Sequence, residues 1–109
     1  MNKQLKNYKL SCVGLDDDNQ TARMVFFVYG VEGVENARRI VRKDNARRRM
    51  MRQHNVDWKM VDLHAVRCNS KGEVADSDLE QELSIMSIES AQIESLLRQK
   101  HIREWVKNE

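Results

Sequence analysis

The chain has 109 residues, 40% hydrophobic and 33% charged, with 19 Lys or Arg against 17 Asp or Glu and a net charge of +2. That length holds one core but not two, so a single domain over residues 1–109 is expected, and apolar residues recurring at regular intervals argue against disorder as the main state. No apolar run approaches the ~18 residues needed to span a bilayer, and MNKQLKNYKL at the start lacks the apolar stretch and cleavage site of a secretory signal.

These absences point to the cytoplasm, where Cys12 and Cys68 are expected as free thiols; a disulfide between them would need an oxidising compartment that nothing else implies. Proline is absent, which removes rigid linkers and proline-rich ligand motifs.

In chain order, Tyr8 to Leu15 (YKLSCVGL) partly alternates, with Tyr8, Leu10 and Cys12 on one face. Met24 to Tyr29 (MVFFVY) is β-branched and aromatic enough for a strand covered on both faces. The polar DDDNQT between them makes the pair an antiparallel hairpin. Asp16-Asp17-Asp18-Asn19 resembles the front of a Ca²⁺ loop, but Thr21 stands at the sixth position and Phe27 at the twelfth, so it fails as an EF-hand.

Val34 to about His54 has helical spacing. At about 100° per residue, Val34, Ala37, Ile40, Val41 and Met51 share one side. Asp44 and Arg48 fall on that side too, either as an i,i+4 pair or at a kink near Asp44-Asn45. Within this helix, Ala37 to Arg52 holds eight basic side chains against one acid, whereas Glu73 to Leu97 holds seven acids and no Lys or Arg. Either a charged partner or mutual neutralisation would satisfy such polarity.

Val56 to Cys68 reads as a third strand. Val56, Trp58 and Met60 alternate, and the apolar phase then jumps to Val61, Leu63 and Ala65, as a β-bulge would produce. Ser77 with Glu80 is a capping box, and Leu79, Leu83, Met86, Ile93 and Leu97 follow 4-3 spacing with Ser90 interrupting. One helix to Lys107 or two divided among Ser84, Ser87 and Ser90 both fit; strand character in LSIMSI is the competing reading. The predicted fold is α+β, a small β-β-α-β-α domain whose three-stranded, mainly antiparallel sheet carries its helices on one face. This order matches no double-stranded RNA-binding, RRM or helix-turn-helix plan motif by motif.

For chemistry, the basic helix leads. Arg38, Arg39, Arg42, Lys43, Arg47, Arg49 and Arg52 spread over more than half its circumference, and guanidinium forks suit phosphate. The expectation is a non-enzymatic protein that contacts the backbone of DNA or RNA, with a log–log salt slope of roughly −4 to −5 if four to six phosphates are neutralised. The alternative is a protein-interaction module, such as an inhibitor or adaptor of a nucleic-acid-processing complex of phage or mobile-element type. The bland reading is a solvated helix face, or one neutralised by the acidic segment.

Aromatic residues do not interleave with the arginines, so base stacking is not expected. Weaker candidates are an Asp57-Trp58-Lys59 nuclease fragment, an Asp62–His64 acid–base couple and a His64–Cys68 metal pair, against which stands an ordinary half-exposed strand. No catalytic residue, metal or cofactor is expected. The Leu79–Leu97 stripe would either pack on the sheet or pair with a second copy.

Overall fold

The computed structural model describes residues 4–16, 20–50, 56–58 and 63–107. Strands β1 (Lys6–Asp16) and β2 (Thr21–Val31) form a long antiparallel hairpin, followed by helix α1 (Val34–Met50), short strands β3 (Val56–Trp58) and β4 (His64–Cys68), and helix α2 (Leu79–Lys107). The α+β class stands. β3 and β4 both pair antiparallel with the far edge of β1, end to end, so the sheet holds four strands but is three wide.

The single strand expected over Val56–Cys68 is two, β3 and β4. The phase jump expected between Met60 and Val61 falls outside the described residues, but the pairings on either side of it are offset. Trp58 pairs with Gly14 and His64 with Ser11, so six steps on one strand oppose three on the other. Lys59, Met60, Val61 and Asp62 lie outside the described residues. A second irregularity sits between Lys6 and Tyr8, where β2 carries an extra residue. Gly30 occupies it at φ 69°, a left-handed conformation that costs other residues about 1–2 kcal/mol, and its N–H donates to Asn7 Oδ1. That bulge returns Val31 to the face of Val28, and both enter the core.

Directly opposed residues share a face of a sheet. Tyr8, Leu10 and Cys12 of β1 oppose Val28, Phe26 and Met24, and all pack with Val34, Ala37 and Val41 of α1. The odd residues of β1 point the other way: Lys9 pairs with Glu82, and Arg23, opposite Val13, pairs with Glu89. Helix α2 therefore covers the second face. The expectation of both helices on one face is corrected, and the reason lies in β1 itself. Leu10 and Cys12 on one side, Ser11 and Val13 on the other, are all buried, so neither side can be left to water.

Helix α2 is continuous, about 44 Å at 1.5 Å per residue. Ser84, Ser87 and Ser90 all sit on solvent and do not divide it, and LSIMSI is helical. It starts within two residues of the predicted capping box, but through a 3₁₀ turn at Asp76–Asp78 in which Asp78 N–H donates to the Ala75 carbonyl.

Candidate nucleic-acid interface

Helix α1 begins as Ala37 N–H donates to the Gly33 carbonyl, and Val34, Ala37, Val41 and Asn45 form its inward seam. Ile40, expected inside, is exposed, and Asn45 is buried where the wheel placed Asp44. The seam thus advances by three and then four residues and leaves the opposite arc to Arg39, Arg42, Lys43 and Arg47.

These side chains differ in what they touch. Arg38 is 27% exposed; its Nε donates to the Leu63 carbonyl at 3.0 Å and its Nη1 to Glu35. It ties α1 to the segment entering β4, so its guanidinium is less free than those of its neighbours. Arg47 holds Asp44 at 3.1 Å while most of its surface stays in water. Arg39, Arg42 and Lys43 are exposed and make no ion pair among the described residues. Separated by three, four and one positions, they share one side of the helix. Helix α1 includes Arg48 and Arg49; Arg52 lies outside the described residues.

The acidic segment does not reach this arc. Glu82 is taken by Lys9, Glu89 by Arg23 and Glu94 by Arg98 within its own helix, while Glu73 accepts from Asn69. The intervening sheet separates the two charged elements.

Beside the arc, Arg39, Ile40 and Lys43 border an open cleft of about 460 Å³ against Leu5, Gly30, Val31 and Glu32. Sequence reading missed it, because it depends on the left-handed Gly30 and on Ile40 turning outward; the glycine was the available signal.

The weaker candidates separate cleanly. His64 and Cys68 lie four residues apart on one strand, about 13 Å, too far to bind one ion; i,i+4 ligation suits a helix. No cluster of three His, Cys, Asp or Glu that could hold a metal occurs among the described residues. Asp57 belongs to β3, opposite Leu15, while Lys59 and Asp62 fall outside the described residues, as do Asp17 to Asn19 of the loop resembling a Ca²⁺ site. Cys12 and Cys68 are free, on β-ladder positions of opposite faces. Among the described residues no helix is long and apolar enough to cross a membrane. No family model, curated protein or solved structure matches this chain.

Proposed function

We propose that the protein binds nucleic acid through the phosphate backbone, with Arg39, Arg42, Lys43 and Arg47 of α1 as the contacting cations and no chemical step of its own. The observation that supports this most is the lack of internal neutralisation. Among the described residues Arg39, Arg42 and Lys43 have no ion-pair partner, and Glu82 and Glu89 of the acidic segment are held on the far side of the sheet. Solvent-facing cations without partners retain their full attraction for a polyanion, and each phosphate contact releases condensed counterions. Helical anchoring through Ala37 and Val41 fixes their spacing in advance, so less side-chain order is lost on binding.

Backbone contact supplies affinity without sequence choice. The test is retention on heparin and on labelled DNA and RNA. Arg39→Ala/Arg42→Ala/Lys43→Ala should lose about tenfold or more in affinity, at roughly one counterion-release contact per cation, with its unfolding midpoint unchanged. Arg38→Ala should do the reverse, lowering stability while retaining most of the binding. Equal, weak retention of the wild type and the triple variant would overturn the proposal and favour a protein partner for the same arc.

A further inference from the structure

The cleft beside α1 has two kinds of lining that a plain basic patch does not combine. Its apolar part is the nearly buried Val31 with Leu5 and Ile40, which are exposed by 58% and 48%. Its cationic part is Arg39 and Lys43, neighbours one turn apart on the helix, with Ile40 three positions before Lys43. Gly30 lines it as well, and a Cβ there would meet no atom within 4 Å, so bare backbone borders open space. The volume of about 460 Å³ lies within the ~300–1,000 Å³ of sites that take small organic groups.

A single exposed isoleucine would need no explanation. Here three separate segments bring apolar or bare surface to one place, beside two cations that have no ion-pair partner among the described residues. Glu32 also lines the cleft, and its carboxylate makes the interior a poor seat for phosphate. The lining therefore fits a ligand that carries its negative charge outside and a flat, weakly polar ring inside.

We infer that the cleft receives the base of an unpaired nucleotide, whose flanking phosphates are held by Arg39 and Lys43. This rests on the phosphate reading of α1 and adds a means of telling single strands from duplex. Apolar side chains can cover the faces of a base taken out of its stack, which suits a helix whose arginines are not interleaved with aromatics. Bases stacked inside a duplex cannot enter, and the cleft stays empty. Charge alone favours the duplex, which releases more counterions per contact. The two effects oppose each other, so strand preference reports on the cleft.

Fluorescence anisotropy at one fixed salt concentration tests this with three labelled probes: a thymidine dodecamer, an abasic dodecamer with the same phosphates, and a duplex of the same length. The wild type should bind the thymidine strand about tenfold more tightly than the abasic one, and at least as tightly as the duplex. Ile40→Gln and Leu5→Gln keep the charge and alter exposed side chains, so unfolding midpoints should not move. Each should remove most of the tenfold difference and leave affinity for the abasic strand as it was. Arg42→Ala, which does not line the cleft, should weaken both strands alike. Equal affinity of the wild type for the two strands, or a clear preference for the duplex, would overturn the inference and leave the phosphate reading standing. A base preference untouched by both glutamine variants would overturn it too. Binding to none of the three probes would end both readings and leave the cleft to a partner of another class.

Discussion

Cys12 lies wholly inside the core, and burial together with the Glu89 charge pushes its thiol up to about 11. Burial also raises Cys68. The consequence for Cys12 is a stability term at alkaline pH. In the unfolded chain the thiol loses its proton near the ordinary value of 9.0, whereas the folded chain retains it to about 11. Between those values the unfolded state binds fewer protons, so stability is intact below pH 9 and falls as pH rises toward 11. Urea midpoints measured from pH 8 to 11 should drop in the wild type and drop less in Cys12→Ala, once each is referred to its own value at pH 8. Glycine matters in the same local way at Gly72. Its φ is 81°, and a Cβ there would meet Phe27 Cε1 at 3.0 Å, so this one residue lets the loop after β4 lie against the β2 aromatics.

At the scale of elements, the attachment of α2 is the least conventional part of the molecule. A buried carboxylate is costly unless paired, and Glu89 Oε1 accepts from Arg23 Nε at 2.9 Å while its Oε2 has no hydrogen-bond partner among the described residues. Arg23→Ala should therefore cost about 3 kcal/mol, because it strands the charge. Arg23→Met with Glu89→Leu should recover most of that, since an apolar pair of similar volume avoids the desolvation penalty. Denaturant titration of the single and double variants checks both.

The same element shows where sequence reading stops. The hairpin was legible because β-branched and aromatic residues flank a polar turn, and α1 because Val34, Ala37 and Val41 keep one period. The α2 stripe was equally regular, yet periodicity reports which residues align and not what they align against. The side that docks was chosen by Lys9 and Arg23, two cations on strands far away in sequence, which drew Glu82 and Glu89 inward. In the same way, Arg38 looked like any other arginine of its helix until the Leu63 carbonyl was found beneath its Nε.

At the scale of the whole molecule, 65 × 34 × 19 Å in overall extent, the sheet acts as a partition with the basic helix on one side and the acid-led helix on the other. With Arg38 engaged, the described arc offers four cations, the lower end of the four to six contacts expected from the sequence. The log–log salt slope should then be about −3.6 on duplex DNA and about −2.8 on single strands; fluorescence anisotropy titrations between low and physiological salt measure it. A slope near zero would mean that α1 meets something other than phosphate. Separation by the sheet also gives any polyanion-bound molecule a fixed outward side. A strand coated through α1 would exchange its uniform phosphate exterior for the mixed carboxylate and apolar exterior of α2.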